Sequence, residues 1–343
     1  MKLISPAEQI AGVQPSRHHL VILGAGASLQ AFPDGDRNGR RPPLMEDLVE
    51  VVGLGNVLSA QGYHDAIENF EAFYSDLVTD GRNPRLLEEI ERRVHQYFSS
   101  LALPDKPTLY DYLVLGLREK DFVATFNWDP FLWMAAERNR KYTPLPHMLH
   151  LHGNVVVGYC ERDKVKGHLS LPCRKCGRPF TPSRLLFPVK EKNYQADPFV
   201  AAEWEALEDV LEHAYVLTIF GYSAPDTDVE AMRVMREAWN REGHRGLEEV
   251  EIIDIKSDEE LTESWSDFIV SHHYRTTDDF RTSLISRYPR RTCEAIFNQF
   301  MMLQMSERNP APVDVTPNEL GRWYSQFVDA EHAGDTDADG ATQ

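Results

Sequence analysis

The sequence predicts an α/β fold in which a parallel sheet is covered by helices on both faces. Five short apolar runs, rich in β-branched and aliphatic residues, are separated by segments with helical periodicity. Strands alternating with helices build a parallel sheet rather than hairpins. Each run ends in glycine or polar residues, and ligands of open α/β sheets bind outside the carboxyl ends of the strands.

The first run, His19 to Leu23 (HLVIL), leads into Gly24-Ala25-Gly26-Ala27-Ser28. Glycine lets backbone approach an anion closely, and a following helix N-terminus favours negative charge. A helix is expected from Ala66 to Leu77, with Ile67, Phe70, Tyr74 and Leu77 on one face. Asn83-Pro84 supplies an N-cap and an N1 proline for the next, which carries Leu87, Ile90, Val94, Tyr97 and Leu101. The second run, Asp121 to Phe126, ends in Asn127, Trp128 and Asp129. There Asp129 and Pro130 read as a helix cap, whereas Asn127 precedes the cap and can both donate and accept.

The third run, Met148 to Leu151, ends in His152-Gly153 within a stretch holding His147, His150 and His152. Strand alternation sets His150 and His152 on one side, which suits a chelated metal ion, a single general base, or plain core packing. His18, His19 and His147 read as core or surface residues. The fourth run, Ala214 to Phe220, leads into Gly221-Tyr222-Ser223, and Thr227 with Glu230 makes a capping-box pattern before Val229, Met232 and Met235. The fifth, Val250 to Ile255, carries Asp254 and is followed by Lys256. A helical segment is expected over 258–328, and the acidic stretch 329–343 has almost nothing to bury, so it reads as a disordered tail.

Composition narrows the function. At 343 residues, 42% hydrophobic and 26% charged, the chain is ordinary globular protein, long enough for one large domain with insertions or two ordinary ones. Its 54 acidic against 36 basic residues give a net charge of −18, which repels phosphate backbones and argues against direct nucleic-acid binding. No apolar run approaches the roughly 20 residues a membrane span needs. Met1 to Val13 has Glu8 and Gln9 where a signal peptide would be apolar, so a cytoplasmic protein is expected. Of the four cysteines, Cys160, Cys173 and Cys176 form a spaced single residue and a CxxC pair, a pattern for zinc in a reducing compartment. His168 is the nearest fourth ligand, with Asp163 a less usual one; Cys293 reads as core. The six-position dinucleotide fingerprint is missing, which disfavours a plain NAD dehydrogenase.

Taken in order, these segments resemble the sirtuin superfamily, and more closely its divergent bacterial branch, from about Arg17 to Ser257. Gly24-Ala25-Gly26-Ala27-Ser28 resembles the Gly-Ala-Gly-x-Ser phosphate loop, and Thr125-Phe126-Asn127-Trp128-Asp129 the Thr-x-Asn-x-Asp segment. Leu151-His152-Gly153-Asn154 resembles Leu-His-Gly-Ser, with the cysteine module following. Gly221-Tyr222-Ser223, with Asp226 and Asp228, resembles the adenosine-side loop of the bacterial branch.

The resemblance implies a Rossmann-like NAD-binding domain over 1–257, with a helical insertion at about 45–118, a small zinc-type module at about 158–186, and the C-terminal helical extension beyond. Gly24, Ala25, Gly26 and Ser28 would cradle the NAD phosphates, with Asp34 from the conserved Pro-Asp pair also at the cofactor. Asn127 would orient the nicotinamide-side ribose or the attacking water, with Asp129 near the carboxamide, and His152 would be the base. Gly221, Ser223 and Asp254 would serve the adenosine side. Cys160, His168, Cys173 and Cys176 would hold zinc.

The Phe-Arg step that follows Pro-Asp in sirtuins is replaced here by a long Asp/Arg/Gly stretch, Asp34 to Pro43, and no acyl-lysine channel sequence is found. The expected function is therefore NAD hydrolysis to nicotinamide and ADP-ribose, as a regulated effector of bacterial anti-phage defence. Such an effector would be a homo-oligomer or respond to an activating protein partner. The alternatives are an NAD-dependent protein-lysine deacylase, a non-catalytic NAD or ADP-ribose sensor, and a metal-dependent hydrolase using His147, His150 and His152.

Overall fold

A computed structural model describes residues 3–11, 17–64, 67, 69–189, 194–224, 228–241, 246–269, 271–328 and 331. A short strand β1 (Leu3–Ile4) and helix α1 (Pro6–Ala11) precede the first long strand, β2 (His18–Leu23), and helix α2 (Ala25–Ala31). Five helices follow before the sheet resumes: α3 (Leu48–Val52), α4 (Gly55–Ala60), α5 (Phe70–Asp80), α6 (Pro84–Ser99) and α7 (Leu109–Gly116). Then come β3 (Phe122–Thr125), α8 (Phe131–Asn139) and β4 (His147–His150). A small antiparallel sheet of β5 (Val157–Cys160), β6 (Val165–His168) and β7 (Thr181–Pro182) intervenes. Alternation resumes with α9 (Pro198–His213), β8 (Ala214–Phe220), α10 (Val229–Trp239), β9 (Glu249–Ile253), α11 (Asp258–Ser264) and β10 (Tyr274–Thr277). The chain closes with α12 (Leu284–Arg287), α13 (Thr292–Phe300), β11 (Met305–Ser306) and α14 (Pro317–Ser325).

The main sheet has six parallel strands in the order β10-β9-β8-β2-β3-β4. Numbered along the chain within the sheet, this is 3-2-1-4-5-6 read from β4, the doubly wound Rossmann order that reverses direction between β2 and β8. The register levels the carboxyl ends. Leu23 lies opposite both Thr125 and Phe220, Thr125 opposite His150, and Phe220 opposite Ile253. Every segment that leaves this row emerges at the same edge.

Alternation divides the core. Val21, Leu23, Val123 and Phe220 face one cluster with the helices of the insertion, while Leu20, Ile22, Leu217 and Ile252 face the other with α9 and α10. Helix α6 shows how the insertion holds on. Asn83 caps it by accepting from Leu86 N at 3.2 Å, and Leu86, Ile90, Val94 and Phe98 are buried along one face. Each such side chain contributes roughly 1.5–3 kcal/mol by leaving water. The helix expected from Ala66 begins at Phe70, because Asn69 accepts from Ala72 N and so starts it there; Ala66 itself lies outside the described residues. Likewise α8 starts at Phe131 rather than Pro130, with the Asp129 carboxylate accepting from Phe131 N at 3.1 Å.

Beyond Ser257 the chain is not helices alone. Strand β10 extends the main sheet, and β11 pairs with β1. A polar cluster fastens this segment beneath the sheet. His19 is fully buried between Thr292 (2.9 Å) and Thr218 (2.8 Å), and Thr218 Oγ1 donates to Glu251 at 3.0 Å. Burial pushes the His19 ring down to about 4 and the Glu251 carboxyl up to about 7. Glu331, expected in a disordered tail, is buried, and both its carboxylate oxygens accept from the buried Arg290 guanidinium. Residues 332–343, and Asp226 and Thr227 of the expected loop and cap, lie outside the described residues. Among the described residues no helix is long and apolar enough to cross a membrane.

Candidate functional site

At the reversal between β2 and β8 two loops press backbone against backbone. Gly24 N donates to Phe220 O at 3.0 Å and Gly26 N to Gly221 O at 2.9 Å. A β-carbon on Gly24 would lie 2.4 Å from Gly221 O, and one on Gly221, where φ is +62°, would lie 2.1 Å from Ala27 N. Only glycine permits this approach.

Above these loops opens a cavity of about 760 Å³, within the range of small-molecule and cofactor sites. Gly24, Ala25, Gly26, Ser28, Asn127, Asp129, His152, Gly221, Ser223 and Asp254 all line it. Every catalytic and cofactor-site residue expected from the sequence but one therefore meets in one space. Asp34 does not. It is exposed, with its carboxylate 3.4 Å from Lys106 Nζ, because the turn holding it is organised by Asp36 instead. Asp36 is buried and accepts from Asn38 N, Arg40 N and Ala102 N, which sends Pro42 to Glu46 over the cavity.

The floor is a hydrogen-bonded cluster. Asn127 Nδ2 donates to Gly24 O at 2.8 Å and to Ser28 Oγ at 3.1 Å, so both amide hydrogens are used inside the protein. The atom Asn127 offers to a ligand is thus its carbonyl Oδ1, an acceptor. Ser28 Oγ donates to Asp129 Oδ2 at 2.6 Å. Burial raises the Asp129 carboxyl to about 6, while the bonds from Ser28 and Phe131 N oppose that rise. Asn154 Nδ2 donates to Asp129 O at 2.6 Å and ties the next strand's loop to the same floor.

His152 follows the end of β4 and is buried at the cavity wall, edge-on to Phe126 with centroids 4.8 Å apart. Phe126 in turn stacks on Tyr222 at 4.1 Å with rings 4° from parallel. His150 and His152 do not share a site: β4 ends at His150, whose side chain is fully buried away from the cavity and whose ring burial drives down to about 3. The pairing of His147, His150 and His152 around a metal is accordingly not formed. Among the described residues lining the cavity, Lys256 is the one lysine or arginine, against Glu46, Glu71, Asp129, Asp228 and Asp254.

The cysteines converge in the small sheet. Cys160, Cys173, Cys176 and Asp163 bring their donor atoms within 4.8 Å of one another. Cys160 and Cys176 sulfurs are 3.6 Å apart, and Asp163 Oδ2 is 3.5 and 3.3 Å from Cys160 and Cys173. Tetrahedral zinc with Zn–S bonds of about 2.3 Å spaces its sulfurs by about 3.8 Å, so this donor set fits the ion. His168 lies outside this group of donors. Its Nδ1 is 2.7 Å from Ser170 Oγ, and the turn after Cys160 delivers Asp163 instead.

No family model matches the chain, and no curated protein matches it. Among solved structures it is similar to a Sir2 homolog–NAD complex, at 14% identity over 79% of this chain and 86% of that one, with a TM-score of 0.40. It is similar also to a Sir2 homologue mutant in complex with 2′-O-acetyl ADP ribose, at 15% identity over 94% and 95%, with a TM-score of 0.41. A third, a structure addressing the mechanism and regulation of Sir2 enzymes, shows 18% identity over 77% and 89%, with a TM-score of 0.38. The chemistry of this chain rests on its own strand order and site.

Sequence reasoning missed three contributors to the site. Tyr110 lies behind Ser28 and Asn127, the Pro42–Glu46 stretch roofs the cavity, and Leu186 and Pro188 close it near His152. None carries a motif; each is brought in by tertiary packing.

Proposed function

We propose that the cavity binds NAD and that the protein cleaves its nicotinamide–ribose bond with water, releasing nicotinamide and ADP-ribose. The reading rests on one observation above all: Asn127 and His152, from the ends of adjacent strands, line the same cavity as the Gly24 and Gly221 loops. It also agrees with the motif resemblance to sirtuins. The acidic side chains suit the cationic nicotinamide, and Lys256 suits the pyrophosphate.

Nicotinamide leaves as a neutral molecule, so no acid has to protonate it. The C1′–N bond breaks with its electron pair going to the ring nitrogen, leaving an oxocarbenium-like carbon. Asn127 Oδ1 accepts a hydrogen bond from the attacking water or a ribose hydroxyl. His152 takes the proton as the water oxygen bonds C1′, then passes it to solvent. Gly24 to Ser28 lie against the phosphates, Gly221, Ser223 and Asp254 on the adenosine side. In this account residues 1–257 are the catalytic domain with the insertion and cysteine module inside it, and 258–328 an extension serving assembly or an activating partner. The chain would act in the cytoplasm as a regulated anti-phage effector, since unchecked NAD loss harms the host.

Chromatography of NAD with the full-length protein, with and without an acetylated peptide, tests this. Nicotinamide and ADP-ribose without peptide support hydrolysis. Nicotinamide only with peptide would make the protein a deacylase, and intact but saturably bound NAD would make it a sensor.

A further inference from the structure

We propose that Tyr110 is a positioning residue for this reaction, holding Asn127 in its working orientation through Ser28; the proposal rests on the NAD-cleaving reading above. Tyr110 does not line the cavity. Its ring is buried in contact with Phe32 and Phe131, with centroids 6.1 and 6.4 Å away. It stands in the first turn of α7, which is fixed by the Thr108–Asp111 capping box, and Asp111 is further held by Arg138 Nε at 2.9 Å and Asn139 Nδ2 at 2.7 Å. The hydroxyl is therefore delivered to one place.

There it finds Ser28 Oγ at 2.7 Å and Asn127 Nδ2 at 3.4 Å. The directions of the bonds follow from valence. Burial and the neighbouring Asp129 raise the phenol's pKa, so it keeps its proton. Nδ2 has no lone pair to offer, so the phenol donates to Ser28 Oγ. Ser28 gives its own proton to Asp129, and its two lone pairs are then filled by Tyr110 O–H and Asn127 N–H. With Gly24 O taking the other amide hydrogen, a flip of Asn127 would set Oδ1 against a carbonyl oxygen. Removing the phenol hydroxyl leaves Ser28 with an unfilled acceptor and frees the serine, and the amide leaning on it, to move. A small displacement of a group that orients the attacking water lowers turnover far more than binding.

Full-length Tyr110→Phe, Ser28→Ala and the double variant, assayed for nicotinamide release from NAD, test the proposal. Tyr110→Phe keeps the ring packing. It is expected to lower kcat about tenfold with KM within about twofold, and to cause no further loss in the Ser28→Ala background, because the two act as one unit. A kcat within about twofold of wild type, or losses that multiply in the double variant, would overturn it. The NAD reading fails separately, if the wild type releases no nicotinamide with or without acetylated peptide. The relay is then read by NMR of the protein labelled with ¹⁵N-asparagine, the Asn127 side-chain signal being the one lost in Asn127→Ala. Tyr110→Phe is expected to speed exchange of those amide hydrogens about tenfold, and unchanged exchange would overturn the proposal.

Discussion

Gly24 and Gly221 meet where the sheet reverses direction, so closely that a β-carbon on Gly24 would stand 2.4 Å from the Gly221 carbonyl oxygen. This contact lets the β2 and β8 loops form a common floor with the ends of β3 and β4 beside it. The site is a consequence of strand order first and of particular side chains second.

Gly221→Ala is expected to destabilise the protein by more than the roughly 1–2 kcal/mol that a left-handed backbone costs alone, because Ala27 N lies 2.1 Å from the new β-carbon. Gly53→Ala is the control. Gly53 has φ +77° with open space around it, so it carries the backbone cost without the clash. Urea unfolding of the two variants reads the difference, and equal losses would mean that the loops do not press together as described.

At the cysteine cluster, full-length protein purified without chelator is expected to hold about one zinc ion per chain. Asp163→Ala and Cys173→Ser are expected to lose it, and His168→Ala to keep it. Metal content by atomic emission decides this. Loss in His168→Ala with retention in Asp163→Ala would restore the histidine as the ligand.

What was legible in the sequence was the strand framework, because Leu20 to Leu23 and Ala214 to Phe220 are buried along their whole length and so read as unbroken apolar runs. Asn127 and His152 were legible as polar residues at strand ends. Strand β10 was not: Tyr274 to Thr277 is a half-buried edge strand, polar in composition. Tyr110 was hidden for a different reason: a helix cap places it 82 residues from Ser28, so spacing carried no sign of the contact. Asp163 was legible only as the less usual fourth ligand, because a carboxylate is a rarer partner of cysteines at structural zinc than histidine. Asp34 was misjudged because its neighbour Asp36, two residues on, takes the structural role and turns it outward.

Glu251 links stability to pH. Its carboxyl lies near 7 in the folded protein against an ordinary value near 4.5, raised by burial. Between those values the folded state holds more protons than the unfolded one, so stability falls as pH rises through the window. Glu251→Gln removes the ionisable group. Relative to wild type it is expected to gain about 3 kcal/mol on going from pH 4 to pH 8. Urea midpoints at the two pH values measure this, and an unchanged gap between variant and wild type would contradict it.

The C-terminal anchor can be tested in the same way. Glu331→Ala leaves the buried Arg290 guanidinium without its carboxylate. The expected cost is about 3–5 kcal/mol, a fall in Tm of roughly 4–7 °C. A melting temperature equal to wild type would place Glu331 in the solvated tail that its composition suggested.

The most direct test of the central claim is a crystal structure of the Asn127→Ala variant grown with NAD. The nicotinamide ribose is expected beside His152, the pyrophosphate over the Gly24–Ser28 loop, and the adenosine toward Ser223 and Asp254. NAD bound elsewhere on the chain, or no binding at millimolar concentration by wild type and variant alike, would contradict it.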